Sequence, residues 1–224
     1  MRYLLVIIII IIHLHYKVKA QVKLEFNPTW NERPLVMGNY HQFSDGKDSV
    51  KFEVFKFYIT NIRLSKHGND VYCDSNNHHL INLSVSNKIH LNIPTSISFD
   101  SIHFKIGTDS FANTSGAMKG DLDPMHGMYW AWQSGYINVK IEGISSACRT
   151  RKNAFQYHLG GYLGEYKTQQ KLSFYNTSNQ FKINISVNEI IQPETLLNTP
   201  EVMSPGVLAV KFMQQFKNSF RLAK

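Results

Sequence analysis

The chain has 224 residues, a formal net charge of +8 and an apolar content of 43%. Its basic residues are scattered along the chain rather than gathered into a stripe, which argues against a nucleic-acid-binding protein. The sequence also lacks a C-x-x-C-H haem attachment site and any flavin or dinucleotide fingerprint, so it carries no oxidising cofactor of its own by these criteria.

The N-terminus has the pattern of a secretory signal peptide. Met1 and Arg2 form a short positive start, residues 3–12 are apolar, and Val18, Lys19 and Ala20 precede the expected cleavage point. About ten apolar residues are too few to span a bilayer, so a retained membrane anchor is the weaker alternative. We predict a signal peptide at residues 1–20, and a mature protein that is periplasmic or secreted, without stable membrane insertion.

Alternation of apolar and polar residues dominates the mature chain. Side chains two positions apart share one face of a strand, so such segments are predicted to be half-buried strands. The clearest cases place apolar residues at Ile102, Phe104 and Ile106, at Ile137, Val139 and Ile141, and at Phe181, Ile183, Ile185 and Val187. Many short strands separated by polar turns predict an all-β fold, an antiparallel β-sandwich formed by one domain at residues 21–224.

A helical period replaces this alternation near the C-terminus. Ser204 followed by Pro205 predicts a helix start. Apolar residues then recur at spacings of three and four, at Leu208, Ala209, Phe212, Met213, Phe216 and Phe220. We predict an amphipathic helix at about residues 204–221 that covers one open end of the sandwich, with a membrane-surface helix as the alternative.

The chain has two cysteines, Cys73 and Cys148. An even number of cysteines in an exported protein favours a disulfide, which we predict between these two residues. Free thiols and metal ligation by thiolate are the alternatives. Neither cysteine has a histidine at ligand-like spacing, which weakens the case for ligation.

Residues 120–136 read GDLDPMHGMYWAWQSGY and combine aromatic, imidazole and thioether groups in a short space. In an extended segment Trp130 and Trp132 would point to the same side. His126 lies just upstream, between Met125 and Met128. An aromatic wall beside an imidazole, with soft donors nearby, predicts a transition-metal site, and copper is the metal that suits it best. Packing is the favoured alternative for both methionines.

The segment FQYHLGGY at residues 155–162 offers a second imidazole. Phe155, Tyr157 and Leu159 would share one strand face, so His158 is predicted to point away from the core. A histidine on a rigid strand, with its approach left open by Gly160 and Gly161, is a well-placed ligand. An ordinary surface histidine satisfies the same pattern.

Asp121 and Asp123 permit further interpretations. The full calcium-loop pattern is missing, and a hydrolase that used both carboxylates with His126 would lack a recognisable nucleophile elbow. An N-cap or Asx-turn role is favoured for both. A different alternative for the whole region is an exported recognition module, in which Trp130, Trp132 and Tyr136 stack on a sugar or peptide.

Several of these motifs together resemble a known family. The segments are GAMKGDLDPMHGMYWAWQSGYINVKIEG at 116–143, FQYHLGGY at 155–162, FKFYITNIRL at 55–64 and VMSPGVLAVKF at 202–212. They resemble the MbnP-like proteins, exported β-rich partners of MbnH-type di-haem enzymes. In that family, and in the related copper proteins MopE and CorA, a tryptophan is oxidised to kynurenine and nearby histidines hold copper.

The resemblance implies a function and a set of site residues. Trp130 or Trp132 would be the oxidised residue, and His158 and His126 would bind copper, Cu(I) or Cu(II), next to these tryptophans. The oxidant would be a separate di-haem, cytochrome c peroxidase-like protein of the MbnH type. The sequence thus predicts an exported protein for copper acquisition, storage or delivery that is not itself an enzyme.

Overall fold

The computed structural model of the protein describes residues 19–132 and 135–223. The predicted signal peptide lies outside the described residues except for Lys19 and Ala20, which begin the first strand. Among the described residues, no helix combines the length and the apolar character that a bilayer crossing requires.

Strand is the main secondary structure, at 48% against 19% helix, as the all-β prediction required. They are β1 (Lys19–Trp30), β2 (Arg33–Pro34), β3 (Tyr40–Gln42), β4 (Ser49–Lys66), β5 (Asn69–Cys73), β6 (His78–Asn82), β7 (Lys88–Pro94), β8 (Ser101–Ile106), β9 (Tyr129–Trp130), β10 (Gly135–Ser145), β11 (Ala154–Gly160), β12 (Gln170–Tyr175), β13 (Gln180–Ser186), β14 (Glu201–Val202) and β15 (Phe220–Leu222). The α-helices are α1 (Ser110–Thr114), α2 (Pro193–Asn198) and α3 (Val207–Asn218).

The described strands form two sheets. The smaller contains β1, β2, β7, β13 and β15, and the larger is built around the 18-residue strand β4. β1 pairs with β13 in parallel, and so does β11 with β14, which corrects the prediction of a purely antiparallel sandwich. Strands far apart in sequence are not joined by a hairpin, so the local pattern does not fix their relative direction.

The main core lies between the two sheets. Phe26 of β1 meets Phe57 of β4 edge to face, with ring centroids 5.6 Å apart, and Phe57 also meets Phe216 of α3 at 5.5 Å. Edge-to-face contacts of this kind are favoured between buried aromatic rings. The apolar positions of the predicted alternating segments face this core, including Phe104, Val139, Ile141, Phe181, Ile183 and Ile185.

The C-terminal helix is amphipathic as predicted but shorter than residues 204–221. Its buried side includes Phe212, Met213 and Phe216. Gly206, not Ser204, occupies the N-cap position, and no side chain caps the helix. Phe220, the last apolar residue of the predicted helical pattern, is not helical. It belongs to β15, where it pairs with Ile185 of β13.

Two insertions leave the larger sheet at neighbouring points, one between β8 and β10 and the other between β11 and β12. β8 pairs with residues 59–65 of β4 and β10 with residues 50–57, so β8 and β10 follow one another along β4. The chain between them, residues 107–132, is the long insertion. β11 and β12 pair with β10 and β8 in turn, and residues 161–169 between them are the short insertion. The candidate site lies where these insertions leave the sheet.

The predicted disulfide is wrong. Cys73 of β5 lies directly opposite Arg63 of β4. Cys148 follows Ser145, and Ser145 lies opposite Val50, near the other end of β4. At about 3.3 Å per residue, the two positions on β4 are roughly 40 Å apart, whereas a disulfide needs Cα atoms within about 7 Å. Both thiols are free, that of Cys73 exposed and that of Cys148 buried.

Candidate functional site

A second, smaller core fixes the long insertion to the outer face of the larger sheet. Tyr58 of β4 and Tyr136 of β10 meet edge to face at 6.1 Å, and the insertion contributes Leu122, Met128 and Trp130 to the same cluster. Met128 is fully buried there, which confirms its packing role. The same prediction is wrong for Met125, whose side chain is 93% exposed.

The two tyrosines also bond to the insertion through their hydroxyl groups. Tyr58 donates to the carbonyl of Asp121 at 3.0 Å, and Tyr136 donates to the carbonyl of Leu122 at 2.9 Å while accepting from the Met118 amide at 3.0 Å. Burial raises the pKa of both hydroxyls. They therefore stay protonated at neutral pH and hold this part of the insertion as donors.

Both aspartates of the motif bond to backbone amides. Asp123 caps a 3₁₀ turn at Pro124–His126, its Oδ1 accepting from the Met125 amide at 2.9 Å, which confirms the predicted capping role. The same prediction is wrong for Asp121, whose Oδ2 accepts from the amide of Leu80 at 2.9 Å and so ties the insertion to β6. These carboxylates shape the loop that carries His126.

His158 lies on β11 and faces away from the main core, as predicted from the alternation of Phe155, Tyr157 and Leu159. It is nevertheless only 7% exposed. Its Nε2 lies 2.6 Å from Oε1 of Glu142 on the neighbouring strand β10. The hydrogen bond with His158 is the main cause that lowers the pKa of the Glu142 carboxyl, and nearby Lys140 acts in the same direction.

Trp130 lies against the strand that carries His158. A Cβ atom on Gly160 would come within 2.6 Å of Cζ3 of the Trp130 ring, so the indole occupies the space that this glycine leaves free. Gly160 follows His158 by two residues, and both therefore face the same side of β11. The prediction of an open approach over the glycine pair is wrong, because the Trp130 ring fills it at Gly160.

Trp130 and Trp132 do not share a strand face, contrary to prediction. β9 ends at Trp130, and Trp132 stands in the turn that follows. Trp130 is 5% exposed and Trp132 is 67% exposed, yet their rings remain neighbours with centroids 6.0 Å apart. The buried Nε1 of Trp130 has no hydrogen-bond partner among the described residues.

Two lysines hold the His126 loop over the row that contains His158. Lys56 of β4, Lys140 of β10 and His158 of β11 are cross-strand neighbours in one row. Lys56 Nζ donates to the carbonyl of His126 at 2.9 Å, and Lys140 Nζ donates to that of Gly127 at 3.2 Å. Nothing local in the sequence indicates what these two lysines bond.

The structure brings the chain segments of His126 and His158 together but directs their rings to different partners. Nε2 of the exposed His126 lies 3.1 Å from the carbonyl of Gly120, within its own loop. The ring of His158 bonds to Glu142. A metal ion that used both imidazoles would require the His126 ring to turn away from Gly120.

Comparison with known proteins finds a family and a solved structure that resemble this chain. The sequence profile of the MbnP family matches residues 19–204. The structure of MbnP from Methylosinus trichosporium is similar, with a TM-score of 0.60 and 13% sequence identity over 77% of this chain and 78% of that chain. At this identity the structural likeness shows a shared fold alone. Among curated proteins, none matches the chain.

Proposed function

The chain belongs to the MbnP family, and we propose that it is an exported copper-binding protein that acquires, stores or delivers copper without catalysing a reaction itself. The observation that carries this proposal is the Trp130 indole packed over Gly160, on the face of β11 that also carries His158 two residues away. An imidazole and an oxidisable aromatic ring thereby lie on the same side of one strand.

The donor atoms at this place suit copper. Neutral imidazole nitrogen is a good ligand for copper, and two imidazoles suit Cu(I) in low coordination. Within the described residues, no three His, Cys, Asp or Glu side chains come together as a ligand group. Donors other than those four residue types would therefore complete a site at His158 and His126, and the aryl amine and ketone of kynurenine are donors of that kind.

We assign the oxidation to Trp130, with Trp132 as the alternative. Trp130 lies against Gly160, two residues from His158, so a new donor formed on its ring would appear next to that imidazole. Trp132 is exposed, and its ring centroid lies 6.0 Å from that of Trp130. A separate di-haem, cytochrome c peroxidase-like protein of the MbnH type would supply the oxidising power, since the chain has no motif for a redox cofactor.

The rival function, recognition of a sugar or peptide on an aromatic wall, is not favoured. Such a wall would need Trp130, Trp132 and Tyr136 to face solvent together. Trp130 and Tyr136 are buried in the smaller core, and only Trp132 is exposed.

The proposal is tested on full-length protein purified from cells that also express a di-haem partner. Copper content after gel filtration and the mass of the peptide that contains Trp130 and Trp132 are measured on the same sample. We expect one copper ion per chain and kynurenine at one of the two tryptophans. A fully modified protein that retains no copper would refute the proposed function.

A further inference from the structure

Glu142 makes a short hydrogen bond with the ring of His158. The two side chains are diagonal neighbours, because β10 places Lys140 opposite His158 and Glu142 opposite Gln156. Oε1 of Glu142 lies 2.6 Å from Nε2 of His158 and 3.3 Å from Nζ of Lys140. One carboxylate oxygen thus joins the imidazole to the lysine that holds the His126 loop.

The chemistry of this hydrogen bond determines which ring nitrogen is free. An ionised carboxylate only accepts hydrogen bonds, so the proton lies on Nε2 of His158. In the neutral ring, Nδ1 then carries the lone pair. Metal-binding histidines generally donate their second ring N–H to a carboxylate or carbonyl in this way, which fixes the ring and raises its basicity.

The charges around His158 give Glu142 a second effect. The row on this face places Lys140 next to His158, and Lys56 one strand further away. The positive charges of these two lysines would oppose a bound cation. The ion pair between Glu142 and Lys140 offsets part of this charge without occupying the free nitrogen of the ring.

We propose that Glu142 is a positioning residue for copper, holding His158 as the Nε2–H form so that Nδ1 is the ligand atom. This inference rests on the proposed function, because it assigns a role within the same site. Glu142 would thus act on the copper site without touching the metal.

Two measurements test it on the full mature chain. Long-range ¹H–¹⁵N correlation spectra of the copper-free protein report the tautomer of His158, and titration with Cu(I) alone against a chromogenic chelator reports affinity. Glu142→Gln keeps an acceptor for Nε2–H but removes the charge, and Glu142→Ala removes both. Glu53→Gln is the matched control, because it breaks the 2.8 Å ion pair with Lys51 on neighbouring β4.

We expect the Nε2–H tautomer in the wild type, with a Cu(I)-induced shift confined to Nδ1. Affinity should fall about 10–100-fold in Glu142→Gln and at least as far in Glu142→Ala, and less than twofold in Glu53→Gln. An Nδ1–H tautomer, or wild-type affinity in both Glu142 variants, would overturn this inference while leaving copper binding intact. A wild-type protein with kynurenine in place that binds no Cu(I) would overturn the proposed function and this inference together.

Discussion

His158 owes its surroundings to residues that are remote in sequence. Alternation along β11 determines only which side of the strand His158 faces, and the sequence predicted that side. Its partner Glu142 on β10 and the Trp130 ring over Gly160 are contributed by other parts of the chain, and no local pattern indicates either of them. A strand histidine with polar neighbours looks the same in a sequence whether it is exposed or enclosed.

Replacing His158 by alanine should remove most copper binding and leave the fold intact. The side chain lies outside the main core, and Lys140 still pairs with Glu142 once the imidazole is gone. His126→Ala should weaken binding equally or less, since its ring is bonded within its own loop. Copper affinity and thermal unfolding of the purified variants are the measurements.

The matched control for this substitution is His103→Ala. His103 lies on β8 of the same sheet, where its Nδ1 is 2.7 Å from Oγ of Ser173, away from the long insertion. The His103→Ala protein should bind copper as the wild type does. Unchanged affinity in the His158→Ala protein would show that the copper site lies elsewhere.

The two cysteines should react as separate thiols. Cys73 is exposed, whereas burial raises the pKa of Cys148 to about 11. At pH 8 only about one in a thousand Cys148 groups is then a thiolate, the reactive form. Iodoacetamide should label Cys73 in the native protein and Cys148 only after unfolding, as read by mass spectrometry. If denatured, unreduced protein takes up no label, the cysteines are joined after all.

At the scale of elements, period-two segments were predicted more successfully than the motif between them. β8, β10 and β13 appear where the apolar alternation indicated them. The prediction that Trp130 and Trp132 share a strand face failed because the rule for strands was applied past the end of β9, where the chain forms a turn. Trp130 is the last residue of β9 and pairs with Gly135 of β10.

The fit between β9 and β11 predicts a specific sensitivity at Gly160. In Gly160→Ala the new Cβ would meet Trp130 carbons at 2.6 and 2.7 Å and the carbonyl of Tyr136 at 2.7 Å, so the ring must move. Overpacking of this kind lowers the free energy of unfolding by about 1–3 kcal/mol. Urea unfolding should measure this decrease, and amide hydrogen exchange in the long insertion should become faster.

Gly206→Ala serves as the control for that substitution. Its Cβ would meet no atom within 4 Å, and the φ of 161° is extended backbone. Stability close to that of the wild type is expected. Equal losses in the two variants would mean that the Trp130 contact is not what makes Gly160 sensitive.

At the scale of the whole molecule, the site arises because two insertions leave the sheet side by side. Asn138 of β10 joins them, since its Oδ1 accepts from the Thr108 amide at 2.8 Å and its Nδ2 donates to Oγ1 of Thr168 at 2.8 Å. Buried and satisfied on both sides, this amide holds the long and short insertions at a fixed spacing. Composition and periodicity predicted the all-β class, but not this meeting of segments distant in sequence.

The modification should depend on a partner protein. Opening an indole ring needs a strong oxidant, and the sequence has no haem, flavin or dinucleotide motif to supply one. Protein made alone in a heterologous host should therefore contain intact Trp130 and Trp132. Co-expression of a di-haem partner should produce kynurenine, detected by mass spectrometry and near-ultraviolet absorbance.

Substitutions at the two tryptophans separate modification from packing in the co-expressed protein. Trp130→Phe should remove the kynurenine absorbance and lower copper affinity, because the Trp130 ring is the one that packs over Gly160, two residues from His158. Trp132→Phe changes an exposed side chain and should leave stability nearly unchanged. Kynurenine in protein made without any partner would show that the oxidant is not a separate enzyme. Copper affinity that is identical before and after modification would show that the oxidised ring is not a ligand, and the role of Trp130 would then be packing alone.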